Sequence, residues 1–100
     1  MNIFMRTPEF DKWLRDLRNS AVKARILSRI RSAEAGNFGD SESVGNGVYE
    51  MRIHVGPDYR VYYFRTGGVV YLLLCGGDKS SQRRNIATAK QLKKRLEGEK

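Results

Sequence analysis

The sequence predicts an α+β fold in one domain spanning residues 1–100. Three observations carry that expectation. Apolar residues recur at helical spacing over the first third of the chain, the spacing changes to two from Val48, and a helical stripe returns after Ser81. With 100 residues and 40% hydrophobic content, the chain has material for one compact core and little surplus.

Asn2 to Met5 reads as a short first strand, ended by Thr7-Pro8, an N-cap followed by proline at the first helical position. The first helix carries Phe10, Trp13, Leu14 and Leu17 inward, and Asn19-Ser20 interrupts it. The second starts near Ser20, places Val22, Ile26, Ile30 and Ala33 on one stripe, and stops at Gly36. Lys23, Arg25, Arg29 and Arg31 fall on its outer face. The Gly-, Ser-, Asn- and Asp-rich stretch NFGDSESVGNG, residues 37–47, predicts a long mobile loop.

From Val48, Tyr49, Met51, Ile53 and Val55 alternate with Glu50, Arg52 and His54, the pattern of a half-buried strand. Gly56-Pro57-Asp58 is turn chemistry, and Tyr59 to Arg65 completes a hairpin. Thr66-Gly67-Gly68 makes another turn. Val69 to Cys75, apolar on both sides, belongs at the centre of the sheet. A last helix runs from about Ser81 towards Leu96, with Ile86, Ala89, Leu92 and Leu96 inward and Lys90, Lys93, Lys94 and Arg95 outward. Two helices are expected to cover one face of the antiparallel sheet.

Nineteen Lys and Arg against eleven Asp and Glu give a formal net charge of +8, the balance of a protein that meets a polyanion: nucleic acid, or an acidic partner that masks the charge. No Lys or Arg lies between Arg31 and Arg52, whereas Lys79 to Lys100 holds eight opposed by Glu97 and Glu99, which predicts a polarised surface. Cys75 is the only cysteine, so no intrachain disulfide forms and a multi-Cys metal site is ruled out. The longest apolar run is far too short to cross a bilayer, and the N-terminus lacks a signal-peptide pattern, which points to a reducing cytoplasm.

Alternate side chains of a strand share a face, so Glu50, Arg52 and His54 point together, and the hairpin brings Arg60 beside them. That face is expected to be open to solvent, with Lys79 joining it from the end of the next strand. Cations for phosphates beside a ring for a base suit single-stranded RNA, and Tyr62 is the expected stacking platform. Tyr59, Tyr63 and Trp13 read as core aromatics. The same set suits RNA cleavage by a 2′-hydroxyl, for which His54, the one histidine, is the candidate acid or base and no metal or other cofactor is required. The segment GGDKSS lacks the GxxxxGK[ST] spacing of a P-loop and keeps only a generic preference for an anion.

The segments GVYEMRIHVGPDYRVYYFR and YLLLCGGDKSSQRRNIATAK resemble the RelE/ParE superfamily of bacterial toxins, and more narrowly the HigB-like addiction-module killer proteins, also described as phage-derived Gp49-like. The resemblance covers almost the whole chain, with GGDKSSQ its most specific piece. It implies a toxin paired with an antitoxin, usually a helix-turn-helix protein that neutralises the toxin and represses the operon by binding operator DNA. RelE-like members cut mRNA in the ribosomal A site; ParE-like members poison DNA gyrase. By position, the RelE pattern of basic residues falls on Arg52, His54, Arg60 and Lys79, and Arg83 and Arg84 would grip flanking RNA or rRNA. Glu50 stands where RelE enzymes carry the first of two lysines, and Asn85 lies about where they carry a tyrosine, which leaves His54 a larger share. The expectation is a ribosome-dependent mRNA endoribonuclease; the alternative is a non-catalytic gyrase inhibitor.

Overall fold

A computed structural model describes residues 1–98 of the chain. Glu99 and Lys100, the last two residues of the charged C-terminal segment, lie outside the described residues.

Strand β1 (Ile3–Arg6) leads into helix α1 (Pro8–Asp16) and helix α2 (Ser20–Glu34). Thr7 caps α1 by accepting the Phe10 N–H at 3.0 Å, while its hydroxyl donates to the Leu74 carbonyl at 2.6 Å. One buried side chain thus starts the helix and ties it to the sheet. Asn19 caps α2 through the Ala21 and Val22 N–H groups, and Gly36, at φ 101°, ends the helical region as expected.

Strands β2 (Ser41–Gly45), β3 (Val48–Ile53), β4 (Tyr59–Gly67) and β5 (Val70–Asp78) follow, then a 3-10 turn (Lys79–Ser81) and helix α3 (Gln82–Gly98). The sheet order is β1-β5-β4-β3-β2, antiparallel except that β1 pairs parallel with β5. The chain is α+β, as the sequence predicts. The apolar segment placed at the centre, β5, is interior but one position off the middle, which β4 holds.

Four expectations need correction. Residues 37–47 are not one mobile loop, because Ser41–Gly45 forms the edge strand β2. Asn46 and Gly47, both at positive φ, turn it onto β3 in the manner of a tight hairpin. The last strand does not stop at Cys75, since β5 runs on through Gly76-Gly77 to Asp78. A Cβ on Gly76 would strike the Trp13 ring, and one on Gly77 would strike Asn85. Those glycines admit close packing on both sides of the strand.

The third correction concerns coverage. Helices α1 and α2 bury Phe10, Leu14, Val22, Ile26, Ile30 and Ala33 against Met51, Ile53, Val61, Tyr63 and Leu73. The opposite face is not open: Val48, Tyr62, Phe64, Leu74 and Cys75 lie there beneath Ala89 and Leu92 of α3. Strand β4 is apolar on both faces, so each needs a cover. Burial raises the Cys75 thiol to about 12, which makes it an inert core group. The fourth correction is Arg29, expected on an outer face. It reaches across to donate to the carbonyls of Arg52, Phe38 (3.1 Å) and Asp40 (3.4 Å), which fastens the segment before β2 to the end of β3.

Candidate functional site

Three strand ends and the start of α3 converge at one corner of the sheet. In the register, Arg52 of β3 lies opposite Arg60 of β4, and Arg60 lies opposite Gly77 of β5. His54 follows the end of β3. Lys79 opens the 3-10 turn, and its N–H donates to the Asp58 carbonyl at 2.9 Å, which binds the β3–β4 turn to the end of β5. Arg83 and Arg84 are exposed in the first turn of α3. The sheet therefore gathers Arg52, His54, Arg60 and Lys79, and Arg83 and Arg84 follow Lys79 on the first turn of α3.

At the base of the corner sits Glu50, with 0% exposure. Its Oε1 accepts from Arg52 Nε at 3.1 Å, and its Oε2 accepts from the Tyr62 hydroxyl and from Gln82 Nε2, both at 2.9 Å. Arg60 Nε lies 3.5 Å from Oε2. That separation makes an ion pair without the alignment of a hydrogen bond, and Arg60 Nε and Nη1 are both buried with no hydrogen-bond partner among the described residues. Arg60 itself is 9% exposed. Buried guanidinium donors without acceptors are rare in folded proteins, because each loses its water.

Tyr62 is not a stacking platform. It has 0% exposure, its ring packs with Val48, Phe64 and Leu74, and its hydroxyl is spent on Glu50. Burial, and then the hydrogen bond to Glu50, raise its pKa well above the ordinary phenol value. Tyr63 is buried, and Tyr59 and Trp13 pack partly buried against the core, in line with their reading as core aromatics.

Arg52 and His54 are engaged by carboxylates, of which the sequence reading had placed only Glu50 on their face. Arg52 pairs with Glu42, with Glu50 and, at 3.5 Å, with Asp40. The hydrogen bonds it donates to Glu42 and then to Glu50 hold its guanidinium still more firmly protonated. His54 Nε2 lies 2.7 Å from Asp40 Oδ2, and its Nδ1 lies 3.5 Å from Asp58 Oδ1. The His54 hydrogen bond lowers the Asp40 pKa below the usual carboxylate value. Glu42 and Asp40 arrive through β2 and the segment fastened by Arg29, so only the β2 hairpin signal at Asn46-Gly47 pointed towards them. Gln82, which closes over Glu50 from α3, carried no signal beyond its place in GGDKSSQ.

An open groove of about 410 Å³ lies between Phe38, Tyr49, Tyr63, Tyr71 and Arg65. It occupies the opposite sheet face and offers aromatic surface with one cation, whereas an anion needs convergent donors; the corner at Arg60 supplies those. Among the described residues, no group of three or more His, Cys, Asp or Glu is placed to hold a metal ion, and no helix is long and apolar enough to cross a membrane.

A five-stranded, mostly antiparallel sheet with a helical hairpin on one face and a C-terminal helix on the other is compatible with the RelE-like fold. Residues 12–97 match the family described as Phage derived protein Gp49-like (DUF891), and the chain belongs to that family, a RelE/ParE-like toxin family. It is also similar to an uncharacterized protein of Haemophilus influenzae, 49% identical over 90 residues that cover 90% of this chain and 91% of the relative. A toxin-like family suggests an antitoxin as partner.

Proposed function

We propose that the chain, acting as one domain, is the toxin of a type II toxin–antitoxin pair of the HigB-like subgroup. It enters the ribosomal A site and cuts mRNA there without a metal. The observation that carries this reading is Arg60: a nearly buried arginine paired only loosely with Glu50, at 3.5 Å, at a corner shared with Arg52, His54 and Lys79. A phosphodiester is the anion that such a fork fits.

In the cleavage, the 2′ oxygen bonds to phosphorus and the bond to the 5′ oxygen breaks, leaving a 2′,3′-cyclic phosphate and a 5′-hydroxyl. Arg60 and Lys79 stabilise the charge that gathers on the non-bridging oxygens. Arg52 adds to the local positive field. His54, held by Asp40, moves a proton, as base for the 2′-hydroxyl or acid for the 5′ oxygen. Arg83 and Arg84 grip flanking RNA or rRNA. The partner is a helix-turn-helix antitoxin that covers basic surface and carries the pair to operator DNA, and the site of action is the reducing cytoplasm.

Primer extension on a reporter mRNA, with and without ribosomes, tests the proposal. Wild type is expected to cut only with ribosomes, and Arg60→Ala to cut on the order of a hundredfold more slowly while its thermal melt stays cooperative. Equal cutting by the two proteins would remove Arg60 from the chemistry. One observation favours a second reading: the carboxylates on Arg52 and His54 leave both less free to act on a substrate. A non-catalytic gyrase inhibitor predicts intact mRNA, undiminished toxicity of His54→Ala, and a DNA damage response.

A further inference from the structure

A carboxylate with no exposure cannot touch a substrate, yet Glu50 lies directly behind the residue on which the proposed chemistry depends. Its burial carries a desolvation cost that only a full set of donors offsets. Donors come from three elements: Arg52 beside it on β3, Tyr62 on β4 and Gln82 on α3. Stability alone does not call for a charge here, since Val48, Phe64 and Leu74 on the same face form an ordinary apolar layer. What does call for one is Arg60, whose guanidinium is almost as deeply buried and whose nearest anion is Glu50 at 3.5 Å.

We infer that Glu50 is a positioning residue: fixed by Tyr62 and Gln82, its buried carboxylate holds the Arg60 guanidinium at the corner. Two of the three fixing donors are neutral, so they orient the carboxylate without competing with Arg60 for charge. The ion-pair separation is long enough that no hydrogen bond saturates Nε. Arg60 is thereby held in place electrostatically, and the 10% of its side chain that stays exposed is what an incoming phosphoryl oxygen can meet. The glutamate that stands where RelE enzymes carry a lysine then serves the cation next to it and takes no proton from the substrate. This inference rests on the proposed phosphate-binding role of Arg60.

The test uses the full chain with ¹⁵N-labelled arginine, the Arg60 Nε–H signal being assigned from Arg60→Lys. Inorganic phosphate is titrated into wild type, Glu50→Gln and Tyr62→Phe, and mRNA cutting on ribosomes is resolved into kcat and KM. In wild type the Arg60 signal is expected to be protected from solvent exchange and to move on adding phosphate. Glu50→Gln should lose that protection and the phosphate response, with kcat down by about tenfold to a hundredfold and KM little changed, as for a misplaced catalytic group. Should Glu50→Gln not fold, Tyr62→Phe decides: it keeps the ring in the core, removes one donor, and should shift the Arg60 signal and lower kcat in the same direction by less.

An Arg60 signal in the folded variants that matches wild type in protection and phosphate response would overturn the positioning role, whatever happens to kcat. A wild-type protein that leaves mRNA intact would instead defeat the cleavage reading. In that case the phosphate response alone would decide for Glu50.

Discussion

His54 and Asp40 form the most exposed contact of the corner, and their 2.7 Å hydrogen bond has a consequence for acid stability. It depresses the folded-state pKa of Asp40, so its contribution is fully present above the unfolded carboxylate value of about 3.9. The contribution disappears as the pH falls through the lower folded value. His54→Ala is therefore expected to flatten the acid limb of a urea-unfolding profile between about pH 5 and pH 2. Superimposable limbs for the two proteins would show that solvent already screens the pair. At this scale the sequence yielded the cations and not their partners. Arg52, His54, Arg60 and Lys79 were legible from alternation and hairpin register. Asp40, Glu42 and Asp58 depend on how β2 and the β3–β4 turn fold back, which no local pattern encodes.

Elements divide in the same way. The helices were readable because Phe10 and Leu14, Val22 through Ala33, and Ala89 and Leu92 repeat at helical spacing between recognisable caps. Strand β2 was not, since Ser-Glu-Ser-Val-Gly has no apolar face to alternate, and only the following Asn-Gly turn marks it. The extension of β5 through Gly76 and Gly77 was hidden for another reason: glycine reads as a breaker, although here it makes room for Trp13 and Asn85. Gly77→Ala should accordingly cost about 1–3 kcal/mol of stability in denaturant unfolding. Adding Asn85→Ala should return part of that loss, because Asn85 is the group the new methyl meets. No recovery in the double variant would place the strain in the strand backbone.

For the whole molecule, the uneven placement of charges along the chain, with no Lys or Arg between Arg31 and Arg52, had suggested a polarised surface. The fold brings the acidic interval onto Arg52: Asp40, Glu42 and Glu50 all contact it, so part of the positive charge is neutralised within the corner. Binding of single-stranded RNA should then depend on the remaining cations. If Arg60, Lys79, Arg83 and Arg84 each meet one phosphate, log K should fall against log salt with a slope of about −3, and Lys79→Ala should reduce that slope by about 0.7. An unchanged slope in Lys79→Ala would remove that residue from the RNA path.

The parallel pairing of β1 with β5 also orders events during synthesis. Residues 3–6 are the first strand made, yet their neighbour spans residues 70–78, so β1 has nothing to join until most of the chain exists. Phe10 and Leu14 wait equally long for Leu73, and Thr7 for the Leu74 carbonyl that anchors α1. The helical hairpin thus emerges with a bare apolar flank, and β1 and β5 must meet before either is secure. Arg60 and Lys79 come into register in the same closing step, when β5 docks on β4. A chain made only as far as β4 consequently lacks the corner, because the strand that brings Lys79 to Arg60 has yet to be added.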